Sequence, residues 1–241
     1  MNNQDIYNPL YGSQGTASVN SPMSALLSPL SNSEFLPLKD AIIIETPYIT
    51  ILEQPVDKFR FRYKSEMVGT HGSLVGSSNN NNRRKNAPTV QLHKYPNNAI
   101  IRCTLVTSDE HQRIPHPHKL VHRDDSLDCD DPHDVKVSSE NEYIATFHGM
   151  AIIHTAKKYI RDELIRKIKR NTLEMKKREN INATLSTIEE AHIKSDADRY
   201  QKYVNLNSVA LCFQAFILDQ NEIMIPITDP IYSHPINNLS K

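Results

Sequence analysis

Residues 41–55, AIIIETPYITILEQP, mark the point where the sequence becomes typical of a β protein. Runs of β-branched residues interrupted by Pro, Asn and Gly continue from here towards the C-terminus, as expected for strands joined by turns. We predict strands at 48–53, 59–64, 88–92, 99–107, 142–147, 150–155, 208–218 and 222–227. Short strands at this spacing predict a mainly β fold of the sandwich type.

One clear helical stretch interrupts the strands. From near Lys157, apolar residues recur every three or four positions, as an amphipathic helix requires. Those apolar residues are Ile160, Leu164, Ile165 and Ile168, and the residues predicted on the polar faces include Arg161, Arg166, Lys167 and Lys169. A weaker helical pattern follows at about 187–203. Strands flank both, so we predict a helical insertion over about 157–203.

The ends and the polar loops differ in composition from the predicted sandwich. Residues 1–45 are rich in Ser, Asn and Pro, which predicts a disordered N-terminal tail. The run SSNNNNRRKN at 77–86 is too polar to pack and predicts an exposed loop.

The cysteine count and the hydropathy of the chain indicate the compartment in which the protein is expected. The chain has 241 residues and 3 cysteines, Cys103, Cys129 and Cys212, which form no CxxC pair. This count and spacing argue against a zinc ribbon and a secreted disulfide framework, and favour a reducing compartment. No apolar run approaches the roughly 20 residues of a membrane span, and the N-terminus lacks signal-peptide features. We therefore expect a soluble intracellular protein without membrane contact.

Charge is segregated along the chain although the formal net charge is +0. The segment 58–64, KFRFRYK, is basic without any acid, and 157–178 is strongly basic. The segment 124–134, DDSLDCDDPHD, is rich in aspartate. A neutral protein with this distribution can present one strongly positive face, which is the electrostatic signature of a polyanion-binding protein.

The basic segment also has the residue types that read DNA bases. On a strand, Arg60 and Arg62 would point to one face and the aromatic residues Phe59, Phe61 and Tyr63 to the other. Arginine can bond guanine O6 and N7 together, a carboxylate such as Glu66 can accept from cytosine, and histidine can donate to guanine. The alternative from composition alone is an edge strand with solvated arginines.

The order of several motifs resembles the NF-κB/Rel family, and insect Relish-type proteins within it. The motifs are RFRYxxE at 60–66, HGxLxG at 71–76, PHPHKLV at 115–121, HTAKK at 154–158, LNSV at 206–209, LCFQ at 211–214 and PIYS at 230–233. The resemblance covers about 48–236 and implies an immunoglobulin-like β-sandwich that binds the DNA major groove. It further implies a Rel homology DNA-binding domain at 46–232 and the start of an interdomain linker at 233–241.

The resemblance implies roles for individual residues. Base contacts are implied for Arg60, Arg62 and Glu66, packing on bases and backbone for Tyr63, and reading of an outer guanine for His71. Phosphate contacts are implied for Lys157, Lys158 and the linker residue Lys241. The family usually has cysteine where this chain has Ser65, whose hydroxyl can still donate to a phosphate but has no redox chemistry.

Other motifs favour structural over chemical roles. The histidines His111, His116, His118 and His122 lack an adjacent second ligand cluster, so we expect no metal site and no cofactor. The aspartates of 124–134 lack EF-hand spacing and predict a solvated loop. The run KIKRNTLEMKKR is compatible with a nuclear signal, but a solvated or phosphate-facing helix is favoured. The sequence has no GxSxG or P-loop, which argues against an enzyme.

The resemblance implies a sequence-specific transcription factor for κB-type double-stranded DNA, acting in innate immune signalling and moving between cytoplasm and nucleus. The implied protein partners are Rel-family chains, if the full protein carries the dimerisation domain, and inhibitory ankyrin-repeat proteins or segments. The alternative is a truncated regulatory fragment that acts through protein contacts without strong DNA binding.

Overall fold

The computed structural model describes residues 46–66, 72–78, 86–123 and 130–239. Strands dominate this part of the chain. The strands are β1 (Tyr48–Glu53), β2 (Lys58–Phe59), β3 (Thr89–His93), β4 (Ala99–Thr107), β5 (Lys119–His122), β6 (His133–Val137), β7 (Ile144–Thr146), β8 (Met150–Ile153), β9 (Ser208–Leu218), β10 (Met224–Pro226), β11 (Ile231–Tyr232) and β12 (Ile236–Asn238). The α-helices are α1 (Ile160–Glu179) and α2 (Thr187–Tyr200).

The strands form two sheets and a short ladder. One sheet has the order β1-β3-β7, and the larger one has the order β2-β12-β9-β4-β6, with β10 and β11 also paired to β9. The ladder joins β5 to β8. Strand β12 pairs parallel with β2 and antiparallel with β9, so the end of the described chain lies beside the basic segment.

The core lies between the two sheets. Ile101, Cys103 and Leu105 of β4 and the matching inner residues of β9 are fully buried, and they belong to one cluster with Val90 and Leu92 of β3. Alternation along β4 and β9 therefore buries one face of the larger sheet, as period-two side-chain geometry requires. This confirms the predicted sandwich.

The helical insertion has a small core of its own. Ile160 and Leu164 of α1 pack with Ala197 of α2, which confirms the predicted apolar side of α1. Helix α2 begins with a capping box in which Ser186 and Glu189 satisfy each other's backbone N–H groups. Neither helix combines the length and apolar character needed to cross a membrane, and the described chain contains no other helix that does.

One prediction about α1 is wrong. Lys167 was expected on a polar face but is fully buried. Its Nζ donates to Asp131 Oδ1 at 2.6 Å and to the carbonyl of His118 at 2.8 Å, so the sandwich supplies the partners that a buried ammonium needs. Asp130 and Asp131 are correspondingly not in a solvated loop, because Arg166 and Lys167 bind them. Residues 124–129 of that acidic segment lie outside the described residues.

The predicted strands at 48–53, 99–107 and 208–218 match β1, β4 and β9. Strands β5, β6, β11 and β12 were not predicted, because they are short and lie among Pro, His and Asp residues. Ile236 of β12 is fully buried in the core of the sandwich. The predicted tail at 1–45 lies outside the described residues.

Candidate nucleic-acid interface

The basic segment is a strand only at its start, so the predicted strand at 59–64 is wrong beyond Phe59. Lys58–Phe59 pairs with β12, and the chain then leaves the sheet. Arg62 forms an isolated parallel bridge to β8: its N–H donates to the Ile152 carbonyl at 2.9 Å, and its own carbonyl accepts from the His154 N–H at 2.7 Å. These two hydrogen bonds hold the basic segment against β8.

The expected two-faced alternation therefore holds only in part. Phe61 is buried in the sandwich core, as predicted for the aromatic face. Tyr63 was expected on the same face but is 55% exposed, because the segment turns into a 3-10 helix at Lys64–Glu66. An exposed tyrosine beside two arginines can pack on a nucleic-acid surface, which a core tyrosine could not do.

Arg60, Tyr63 and Glu66 form one hydrogen-bonded unit. The Arg60 guanidinium donates to Glu66 Oε1 at 2.8 Å, and the Tyr63 N–H donates to Glu66 Oε2 at 3.1 Å. The two carboxylate oxygens thus fix both a basic side chain and the backbone of the turn. Arg60 and Glu66 each keep about a third of the side chain exposed, so the unit remains open to a ligand.

The ring of Tyr63 in this unit packs on a pair of histidine rings. The Tyr63 ring packs on the His154 ring at 5.2 Å between centroids, and His154 packs on His118 at 4.4 Å. Burial, reinforced by the neighbouring His154, lowers the pKa of His118 to about 3. His118 is therefore neutral at physiological pH, and it serves as an uncharged support.

The chain returns beside β8 after residues 67–71. The Leu74 N–H donates to the Met150 carbonyl at 2.7 Å, and Gly76 bridges to Pro55. A Cβ on Gly76 would overlap the side chain of Glu53, which explains the glycine at this close approach. His71, the predicted reader of an outer guanine, lies outside the described residues.

The two predicted phosphate-binding lysines follow β8 directly. Thr155 is buried and anchored, since its hydroxyl donates to the Pro117 carbonyl at 2.7 Å and its N–H donates to His118 Nδ1 at 3.2 Å. The 3-10 turn Lys157–Tyr159 comes next, and both Lys157 and Lys158 are exposed in it. The His154 N–H donates to the Arg62 carbonyl, and Lys157 and Lys158 follow His154 by three and four residues. The turn that carries these lysines therefore begins close to the basic segment.

The C-terminal strand also meets the basic segment. The Phe61 N–H donates to Asn238 Oδ1 at 2.9 Å, and the Leu239 N–H donates to the Phe59 carbonyl at 3.2 Å. The described chain therefore ends beside Arg60. Lys241, predicted to contact DNA, lies outside the described residues.

Ser65 is exposed in the 3-10 turn between Tyr63 and Glu66. The described cysteines belong to the sandwich instead: Cys103 is fully buried and Cys212 is half-buried. Burial raises the pKa of the Cys103 thiol well above its usual range and that of Cys212 to about 11. Neither therefore presents a reactive thiolate at the basic segment. Cys129 lies outside the described residues.

The histidine run has a structural role within the described chain. His116 and His118 are buried, and their Nε2 atoms lie 3.1 Å and 2.9 Å from the carbonyls of Asn205 and Leu206. They connect the sandwich to the segment that follows α2. No group of three or more His, Cys, Asp or Glu among the described residues could hold a metal ion.

Comparison with known proteins identifies the arrangement. Residues 49–239 match the Rel homology DNA-binding domain family. A nuclear factor NF-kappa-B p110 subunit from Drosophila melanogaster is 46% identical over 200 residues, which are 83% of this chain and 20% of that protein. The chain belongs to the NF-κB/Rel family.

Other members agree with this assignment. A Xenopus laevis nuclear factor NF-kappa-B p100 subunit is 32% identical over 79% of the chain and 19% of its own length. The structure of the Dorsal homologue Gambif1 bound to DNA matches with a TM-score of 0.57 and 27% identity, covering 80% of this chain and 99% of that one. This likeness confirms the immunoglobulin-like fold.

The resemblance to Relish-type members agrees with the identity to the fly protein. The Rel homology domain described here is a DNA-binding domain of a transcription factor and not an enzyme. The chain spans about a fifth of the length of the p110 and p100 relatives.

Sequence reasoning missed the supports of this interface. It placed Arg60, Arg62, Tyr63, Ser65 and Glu66 in one segment, and the structure holds that segment beside the turn that carries the lysines. It did not identify His154 as the ring under Tyr63 or His118 as the ring behind His154. The available signal was their position within the HTAKK and PHPHKLV motifs.

Proposed function

We propose that this Rel homology domain reads κB-type DNA sites with a G-rich half through the segment Arg60–Glu66. In this proposal Arg60, Arg62 and Glu66 contact bases, Tyr63 packs on bases and backbone, and His71 reads an outer guanine. Arginine and carboxylate in one segment suit guanine and its paired cytosine, because one offers donors and the other acceptors.

Phosphate contacts would set the register of the domain on the duplex. We assign them to Ser65, Lys157, Lys158 and Lys241. Exposed lysines gain affinity by releasing counterions from the DNA without reading sequence. The Ser65 hydroxyl would add a neutral donor in the turn.

One observation carries the proposal: the backbone of Arg62 is hydrogen-bonded to Ile152 of β8 and to His154, the residue that follows β8. This contact couples the proposed base readers to the proposed phosphate binders, because β8 leads directly into the Lys157–Tyr159 turn. Base readers must be held in register with phosphate contacts to select a sequence. The Dorsal homologue of similar fold is bound to DNA in its solved structure.

The wider setting is part of the same proposal. By analogy with the family, we expect dimerisation with Rel-family chains if the full protein carries the dimerisation domain, and retention in the cytoplasm by inhibitory ankyrin-repeat proteins or segments. Release to the nucleus would then serve innate immune signalling. These partners and this localisation are proposed for the full protein and not for the DNA-binding domain alone.

The test is a fluorescence anisotropy titration of this domain with a κB half-site duplex and a scrambled duplex of equal length. We expect preference for the κB duplex at an affinity well below that of a dimer, because a single domain lacks the effective concentration supplied by a second half-site. Affinity should fall steeply with salt. Equal affinity for both duplexes, or a salt slope near zero, would favour the regulatory-fragment alternative.

A further inference from the structure

A cleft of about 250 Å³ opens between α1 and the face of the larger sheet that points away from the sandwich core. Its apolar part includes Val106 on β4, Phe216 on β9 and Tyr232 on β11. Helix α1 contributes Arg170 and Arg178, and the loop after β4 contributes Arg113. We call this site the arginine cleft. Its volume is below that of a typical cofactor site and is sufficient for one large side chain.

Three arginines of the cleft form no ion pair with a carboxylate of the described chain, and Glu174, the carboxylate that also lines the cleft, pairs with Arg102. Arg113 donates to the Thr107 carbonyl at 2.8 Å, Arg178 donates to the Met224 carbonyl at 3.0 Å, and Arg170 donates to the Asp131 carbonyl. All three acceptors are neutral. The guanidiniums are therefore positioned while their charge remains available.

Two of these guanidiniums lie over aromatic rings of the cleft. Arg113 is 4.8 Å from the centroid of Tyr232, and Arg178 is 5.6 Å from that of Phe216. This packing restricts the rotamers of Arg113 and Arg178, so less side-chain entropy is lost when a ligand binds them. The fourth arginine of the cleft differs, because Arg102 is paired with Asp134 and Glu174 and contributes no free charge.

The cleft does not suit a DNA backbone. Phosphate groups gain nothing from contact with an apolar surface. Arg170 and Arg178 also lie about 20 to 30 Å along α1 from the Lys157–Tyr159 turn, at 1.5 Å of rise per residue. An apolar surface between unpaired guanidiniums instead fits a chain with an apolar side chain flanked by carboxylates.

We propose that the arginine cleft docks an acidic peptide segment of a partner protein. One large apolar side chain of that segment would pack on Tyr232 and on Met175, which is 63% exposed at the cleft. Neighbouring carboxylates would bind Arg113, Arg170 and Arg178. This interaction is separate from the proposed DNA contacts, so the domain can hold the peptide and a duplex together.

The test uses a fluorescein-labelled nine-residue peptide with a central phenylalanine flanked by glutamates, titrated with the Rel homology domain. We expect saturable binding that weakens about tenfold in Arg113→Gln and in Arg178→Gln, because each removes a charge-assisted contact. Arg199→Gln is the matched control, since Arg199 is an exposed arginine on α2 that pairs with Asp196. A peptide with glutamine for glutamate should not bind.

A second measurement needs no variant. Adding the peptide should change the backbone amide NMR shifts of Thr104, Gln214 and Tyr232 and should not change those of Arg62 and Tyr63. We expect this result for the free domain and again for the domain already bound to a κB duplex. The proposal is overturned if the glutamine peptide binds equally or if Arg199→Gln weakens binding as much. It is also overturned if the duplex displaces the peptide, which would place the peptide on the DNA surface, or if no saturable binding occurs.

Discussion

The Arg60 guanidinium donates at 2.8 Å to the carboxylate of Glu66, the last residue of the 3-10 turn Lys64–Glu66. The second carboxylate oxygen accepts the Tyr63 N–H, so one acidic side chain orients a proposed base reader and the backbone beneath another. These groups are thus already ordered in the free protein, so little conformational entropy is lost when they bind DNA. More of their contact energy is then available for selecting a sequence.

We predict that Glu66→Ala lowers the ratio of κB to scrambled DNA affinity by about 5- to 150-fold, which corresponds to a base-contact loss of roughly 1–3 kcal/mol. Removing an acid also reduces repulsion of phosphate, so affinity for scrambled DNA should hold or rise. Anisotropy titrations with both duplexes measure the ratio. Glu140→Ala, which removes an exposed acid from the turn Ser139–Asn141, is the control.

Because Arg60 and Glu66 are in contact, their effects should not add. The double variant should lose less specificity than the sum of the single losses. Additive losses would show that the 2.8 Å pair plays no part in DNA reading.

The proposed base and phosphate contacts should separate by their response to sequence. Arg62→Ala should cost roughly 1–3 kcal/mol on the κB duplex and relax its guanine preference. Lys157→Ala should weaken all duplexes similarly and reduce the salt slope by about 1. Lys177→Ala, an exposed lysine further along α1, serves as a charge-matched control. Proportionate losses in the Arg62 and Lys157 variants would contradict these roles.

Because Ser65 stands where the family usually has cysteine, we predict that DNA binding by this domain is insensitive to mild oxidants and to thiol alkylation. We predict that Ser65→Cys introduces sensitivity and leaves the affinity of the reduced protein nearly unchanged, because a thiolate next to Lys64 and near Arg62 is favoured. The measurement is a DNA titration before and after alkylation. A large loss in the unmutated domain would mean that another cysteine lies at the DNA surface.

The buried pair Lys167–Asp131 should dominate the stability of the insertion's contact with the sandwich. Lys167→Met should lower the free energy of unfolding at pH 7 by about 3–5 kcal/mol, because it leaves the Asp131 carboxylate buried without its ammonium. Lys169→Met should cost less than about 1 kcal/mol, since the Lys169–Glu190 pair is partly exposed. Urea unfolding of the two variants compares them directly.

The cost of Lys167→Met should depend on pH. Burial is the largest single influence on Asp131 and opposes its ionisation, but the charge of Lys167 and the hydrogen bonds from Asp130, Lys167 and the Leu105 N–H together lower the pKa of Asp131. A lowered folded-state pKa stabilises the protein above the ordinary aspartate pKa of about 4, and this stability is lost as pH falls through the folded value. The difference between wild type and variant should therefore shrink on acidification below about pH 4. A difference that is constant with pH would refute the assignment.

Long elements and the family motifs could be predicted from the sequence. Strands at 99–107 and 208–218 and the helix through Leu164 carry their periodicity in consecutive residues, so local pattern suffices. The two-residue strands β2 and β11 have no period to detect, because they exist only where a longer strand pairs with them.

The sequence by itself determined the sandwich class, the insertion and the segment that carries the proposed DNA contacts, because these depend on residue type and spacing along the chain. Only the tertiary structure decided that Tyr63 faces outward, that His154 supports it and that Lys167 is buried. Each of these depends on partners distant in sequence: β8 bends the basic segment out of the sheet, and Asp131 offers the charge that allows a lysine inside. Burial and pairing are properties of the assembled surfaces, which a one-dimensional pattern does not contain.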